Sequence, residues 1–266
     1  MPHLNVNGAR LHYTDDGSGT EAIVFSHGLL FSGAMFANQI THLKDRYRCI
    51  TYDHRGQGGS EVTADGYDIE TLTADAEALI EALGVVPCHF VGLSMGGFVG
   101  LRLAIRRREL LRSLSLIETS ADPEPSENLP RYRMLNFIAR WFGLRVVSGK
   151  IMPIMFGRSY LNDPVRAADR DAWRKRIVAN DRIGITRAVK GVIYRKGVSE
   201  EIKGIETPTL IIVGEEDVAT VPEKSVRMQV AISASRLVRV PRAGHSSTIE
   251  EPHAVNEALA AFLKGG

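Results

Sequence analysis

The sequence predicts an α/β fold: a mostly parallel, eight-stranded sheet with helices on both faces and a helical cap insertion. Three observations carry this expectation. Short apolar runs alternate with amphipathic stretches of helical spacing, the pattern of βαβ units. The runs are rich in Val, Ile and Leu, as strands covered on both faces require. The alternation stops after Glu118 and returns near residue 205, so the middle of the chain reads as an insertion. With 266 residues, 44% of them hydrophobic and 24% charged, the chain can bury a large core.

Taken in order, "HLNVN", a turn at Gly8 and "ARLHYTDDG" read as a hairpin. "EAIVFSHG" is a third strand, ended by Gly28 and followed by the amphipathic "SGAMFANQITHLKD". "YRCITYD" is the fourth, closed by the glycine-rich "HRGQGGS". In "DIETLTADAEALIEAL", Leu72, Ala76, Leu79, Ile80 and Leu83 recur at helical spacing, and Gly84 stops the helix. "CHFVGLS" is the fifth strand, "MGGFVGLRLAIRRR" starts a helix, and "LLRSLSLIE" is the sixth strand. After the insertion, "TPTLIIVGEED" and "SRLVRVPRAGH" restore the strands, and "PHAVNEALAAFLKG" is the last helix.

The expected division is 1–120 and 205–266 for the two parts of the core and 121–204 for the cap. The cap holds prolines at 123, 125, 130, 153 and 164, helical patterns such as "RYRMLNFIARWFG" and "RAADRDAWRKRIVAN", and no convincing strand. It carries 17 Lys/Arg against 9 Asp/Glu, a net of +8, while the remainder carries a net of −6.

Several functions are set aside by composition. A net charge of +2 is too small for a nucleic-acid binder. Cys49 and Cys88 lie in apolar strand-like segments without ligand spacing, so two reduced, buried thiols are expected, and neither a metal nor a cofactor. "RGQGGS" lacks the Lys and the spacing of a phosphate loop. "MPHLNVNGAR" has no basic stretch leading into an apolar one, and no apolar run reaches the roughly 18 residues a spanning helix needs. The expectation is a cytoplasmic monomer or small homo-oligomer, with no membrane partner.

The chemistry concentrates in "VGLSMGG". Gly92-Leu93-Ser94-Met95-Gly96 fits G-x-S-x-G between a predicted strand and a predicted helix. So sharp a turn forces its central residue into strain and needs neighbours without side chains. It lifts the Ser94 hydroxyl clear of the sheet edge, beside the free N–H groups of a helix start. A serine hydroxyl is a weak nucleophile until a base takes its proton. His245, in "PRAGHSST" after a strand, is the expected base, since active sites of open α/β sheets form at the carboxyl ends of strands. A carboxylate must fix its tautomer. Asp217 in "GEEDVATVP" is the expected acid, with Glu215 and Glu216 as neighbours on the same turn and Glu118 as the rival after the sixth strand. The N–H groups of Met95 and of Leu29 in "SHGLL" are the expected oxyanion donors. His27 is expected to be structural, and His54 to belong to a turn. Among cap residues Trp141, Phe142, Met152, Ile154, Met155, Phe156 and Trp173, most should pack the cap onto the core. Trp141, Met155 and Trp173 are the chosen substrate contacts.

Together "SHGLL", "YDHRGQGGS", "VGLSMGG", "GEEDVATVP" and "AGHSSTIEEP" resemble the α/β-hydrolase family, in the chain order Ser, acid, His, over nearly the whole chain. The resemblance implies that fold, a helical cap and cofactor-free catalysis. Relatives with an Asp nucleophile, the haloalkane dehalogenases and epoxide hydrolases, are disfavoured by Ser94. Cofactor-free perhydrolases that carry Trp after the "HG" pair are disfavoured by Leu29. "GLSMGG" and "DVATVP" look most like 3-oxoadipate enol-lactonases and related small carboxylesterases. The expectation is hydrolysis of a small-molecule ester, with a lactone as the alternative. A perhydrolase, a C–C bond hydrolase and a small-molecule receptor stand behind both.

Overall fold

The computed structural model describes residues 2–264. Eight strands form one sheet: β1 (His3–Val6), β2 (Ala9–Asp16), β3 (Ala22–Ser26), β4 (Arg48–Tyr52), β5 (Cys88–Leu93), β6 (Leu111–Ile117), β7 (Thr209–Gly214) and β8 (Ser235–Val240). Their spatial order is β1-β2-β4-β3-β5-β6-β7-β8. The β1–β2 and β2–β4 pairs are antiparallel, and every other pair is parallel.

Because side chains alternate across a strand, successive residues feed two different cores. Val91, Leu93, Leu210 and Ile212 enter one, with Leu43 of α1 (Ala37–Leu43) and Val255 and Leu259 of α11 (Pro252–Leu263). Phe90, Leu114, Leu116 and Ile211 enter the other. There they meet Leu72 and Leu79 of α2 (Ile69–Ala82) and Phe98 and Leu101 of α3 (Met95–Arg106). Helix α2 starts where the Asp68 side chain accepts the Thr71 N–H, the capping bond that satisfies a free donor of the first turn. Cys49 and Cys88 are free and buried, and burial pushes both thiols up to about 12.

Between β6 and β7 run α4 (Leu129–Phe142), α5 (Leu144–Met155), α6 (Arg158–Asn162), α7 (Ala167–Val178) and α8 (Arg182–Ile193), with no strand among them. Helix α4 packs on α5 and α8, and α5 on α7. Past the acid loop lies α9 (Pro222–Ala231), a helix without a clear apolar periodicity in the sequence, and past His245 the single turn α10 (Ser247–Glu250). The carboxyl ends of β3, β5, β7 and β8 meet beneath the cap helices, where Gly28, Ser94, Thr220 and His245 share one cavity wall.

Candidate active site

Ser94 joins β5 to α3 with φ 53° and ψ −110°. A positive φ on a non-glycine residue is strained and needs support from its surroundings. The flanking glycines leave room for it: a Cβ on Gly92 would strike the Gly96 carbonyl, and one on Gly96 the Ser26 carbonyl. Ser94 N donates to Ile117 O at 2.8 Å, and Thr119 Oγ1 donates to Ser94 O at 2.8 Å. The turn is therefore held from β6 and from the segment after it.

His245 Nε2 lies 2.8 Å from Ser94 Oγ, and His245 Nδ1 lies 2.9 Å from Asp217 Oδ2. An ionised carboxylate can only accept, so Nδ1 carries the proton and Nε2 is left to accept from the Ser94 hydroxyl. Asp217 is fixed in turn. Thr220 Oγ1 donates to its Oδ2 at 2.6 Å, and the N–H groups of Ala219 and Thr220 donate to its Oδ1 at 2.8 and 3.0 Å. Burial opposes ionisation of Asp217. The His245 charge and hydrogen bonds from His245 and Thr220 outweigh it and hold the carboxyl well below the usual carboxylate range.

The other carboxylates on these loops have other partners. Glu215 faces Arg239 near the surface, and Glu216 reaches Ser159 in the cap. Glu118 is fully buried and accepts the Gly214 N–H at 2.9 and 3.0 Å through its two oxygens. Burial, reinforced by the Asp217 charge, pushes its carboxyl well above the usual range.

Leu29 N and Met95 N donate to no acceptor among the described residues, while Leu30 N donates to Gln57 Oε1 at 2.8 Å. Gly28, two residues past β3, stands so close that a Cβ there would touch Ser94 Cβ at 3.4 Å. The His27 ring is engaged on both sides, with Gly28 O 2.7 Å from Nδ1 and the His54 N–H donated to Nε2 at 2.9 Å. Burial lowers its pKa, which fits a neutral structural ring. His54 lies in the turn after β4, against Ser26 Oγ at 3.0 Å.

A cavity of about 120 Å³ opens from Ser94, His245 and Leu29 into the cap. Its far wall is apolar, built from Leu135, Ala139, Val147, Ile151, Ile154, Met155 and Ile185. The wall also holds Glu124 and Arg195, which pair with each other at 3.0 Å. Met155 stands in the wall as expected from the sequence, and so does Ile154. Trp141 and Trp173 do not. Helix α4 turns Tyr132, Leu135, Asn136 and Ala139 inward, one face at helical spacing, which leaves Trp141 on the outside, 64% exposed. Trp173 is buried beyond the wall, edge-on to Phe31 at 5.8 Å.

A sheet of this order, with a serine on the strained turn after β5, an acid after β7 and a histidine after β8, defines a hydrolase of the α/β class. The chain belongs to the alpha/beta hydrolase family, whose model matches residues 23–258. The protein named "Putative carbamate hydrolase RutD" of Pseudomonas syringae pv. syringae is 32% identical over 254 residues, covering 91% of this chain and 93% of its own length. Among solved structures, the enol-lactonase of Burkholderia xenovorans LB400 has a TM-score of 0.91 at 31% identity, covering 99% of this chain and 100% of that one. A thermophilic esterase of Thermogutta terrifontis has a TM-score of 0.92 at 26% identity, covering 99% and 98%. The names among the relatives thus span carbamate hydrolase, enol-lactonase and esterase, and extend to non-heme bromoperoxidase.

Proposed function

We propose that the protein hydrolyses carboxylic esters of small, largely apolar molecules through an acyl-enzyme on Ser94. The observation that carries this reading is the continuous relay from Asp217 through His245 to Ser94 Oγ, at 2.9 and 2.8 Å, opening on an apolar cavity. Ser94 Oγ attacks the ester carbonyl while His245 Nε2 takes its proton, and Asp217 stabilises the imidazolium that forms. The oxyanion forms against the uncommitted N–H groups of Leu29 and Met95. His245 returns the proton to the leaving alcohol. Water, activated by the same imidazole, then cleaves the acyl-enzyme and regenerates Ser94.

The wall also bears on the substrate. Apolar cavities of ~150 Å³ admit a benzene-sized group, so a free volume of about 120 Å³ favours short acyl or alcohol chains. The cap's positive charge does not line the cavity: Arg131, Arg133, Arg145 and Lys150 face water, and Arg195 is paired with Glu124. A neutral ester therefore fits better than an anionic one. A lactone is the second reading, supported by the likeness to the Burkholderia enol-lactonase. The test is kcat/KM across p-nitrophenyl esters of increasing chain length and a carboxylate-bearing enol-lactone, each with a Ser94→Ala control. Short neutral esters should lead, and Ser94→Ala should abolish turnover. Faster turnover of the lactone than of every neutral ester would exchange the two readings.

A further inference from the structure

Two carboxylates outside the relay close the seam between the cap and the catalytic loops. Glu216, the residue before Asp217, accepts the Ser159 N–H at 2.8 Å and its Oγ–H at 2.5 Å. Glu250, five residues after His245, is fully buried in α10. Its Oε2 accepts the N–H of Gly157 at 2.8 Å and of Gly244 at 3.0 Å, and its Oε1 accepts the N–H of Ser246 at 3.0 Å. Gly244 and Ser246 are the two chain neighbours of His245, and Gly157 lies between α5 and α6 of the cap. Ser246 Oγ also donates to the carbonyl of Met155, a cavity-wall residue, at 2.7 Å.

Three N–H donors converging on two oxygens match an ionised carboxylate, which offers only acceptors. Protonation would turn one of those oxygens into a donor facing an N–H group. We propose that Glu250 is a positioning residue for His245: in its ionised form it holds both chain neighbours of the base and seats the cap at Gly157 in the same junction. The proposal rests on the reading of His245 as the base.

The junction is costly to stability. Burial pushes the Glu250 carboxyl up to about 7, although its three N–H partners favour the charge, and the Asp217 charge adds to the rise. Facing groups come from every side. The acid loop brings Asp217 and Glu216, the base loop His245, and the cap Tyr160 and Arg166, which donates to the Glu250 carbonyl. Helix α1 contributes the uncharged Gln39, on the Thr248 carbonyl at 3.3 Å. A carboxyl whose folded pKa is raised stabilises the fold below its unfolded pKa of about 4.3 and loses that contribution as pH rises through about 7. Positioning runs the other way, because the clamp needs the charged form.

The test is Glu250→Gln in the full chain, with kcat and KM for a short p-nitrophenyl ester and the thermal midpoint measured from pH 5.5 to pH 8.5. Gln keeps the shape but sets an amide N–H against backbone donors. The expected kcat deficit is at least tenfold at pH 8.5, with KM within threefold, and it narrows below pH 6, where wild-type Glu250 is itself neutral. Over the same range the variant's midpoint rises relative to wild type. A deficit constant across pH, or wild-type kcat with only the midpoint altered, overturns the proposal. Glu250→Asp is the second variant, should Gln prevent folding. It keeps the charge but withdraws it by one methylene, so kcat should fall at every pH, and wild-type kcat in it also overturns the proposal. His245→Ala separates the two levels. Turnover retained there would refute the reading of His245 and the clamp with it, whereas an inactive His245→Ala beside an unaffected Glu250→Gln refutes the clamp alone.

Discussion

Asp217→Asn exchanges one atom in a side chain whose oxygens are both occupied. Oδ1 accepts the N–H groups of Ala219 and Thr220, which keeps the amide oxygen on that side. The new N–H₂ then takes the place of Oδ2, facing His245 Nδ1 and Thr220 Oγ1. Both can accept from it, so the fold should survive. The imidazole must then present Nδ1 as an acceptor and move its proton to Nε2. That proton points at Ser94 Oγ, 2.8 Å away, and the base can no longer take the serine's hydrogen. The same substitution in a serine-protease triad costs ~10⁴-fold in kcat, about 5.5 kcal/mol at 1.36 kcal/mol per tenfold. The assay is steady-state hydrolysis of a p-nitrophenyl ester at pH 8. Glu118→Gln is the control: Glu118 holds the Gly214 N–H while Asp217 holds His245 Nδ1, so its loss should stay below tenfold. Losses in the reverse order, or an Asp217→Asn variant within tenfold of wild type, would refute the assignment of the acid.

Other outcomes follow from the same geometry. Gly96→Ala drives a methyl group into the Ser26 carbonyl and should destabilise the fold by about 3–5 kcal/mol, read as an early midpoint in urea unfolding. Met155→Ala enlarges the cavity wall and should raise kcat/KM for a hexanoate ester relative to acetate, whereas the exposed Trp141→Ala should change neither that ratio nor the melting temperature. Cys49 and Cys88 should resist a thiol reagent at pH 8 in the native protein and both react after denaturation, because burial holds each as the thiol.

The central strands β3 to β7 are legible because each is a largely apolar, largely buried run closed by a turn signal, whereas β1, β2 and β8 mix polar and apolar residues and expose part of their length. The serine turn was legible because its glycines have no other use at a strand–helix junction. Cap helices are legible in "RYRMLNFIARWFG" and "RAADRDAWRKRIVAN", but α5 and α8 are masked, since each carries residues that normally break helices: Gly149 and Pro153 in one, Gly184 and Gly191 in the other. The structure gives Gly184 a reason. It packs against the Gly56 backbone, where a Cβ could not fit. Helix α9 is hard to see in the sequence because it is polar, burying only Lys224, Ser225 and Met228. The cavity wall was the least legible part. Large side chains on α4 look alike in sequence whether they face inward, as Leu135 does, or outward, as Trp141 does. Glu250 could not be told from a surface carboxylate, because its three donors come from segments up to 93 residues away.

The central claim is that Ser94 becomes acylated during turnover. Mass spectrometry of the protein acid-quenched within milliseconds of mixing with p-nitrophenyl acetate tests it most directly. One acetyl group per chain, on the peptide that contains Ser94 and absent from Ser94→Ala, is the predicted result. Turnover without any adduct, or an adduct on another residue that persists in Ser94→Ala, would contradict it.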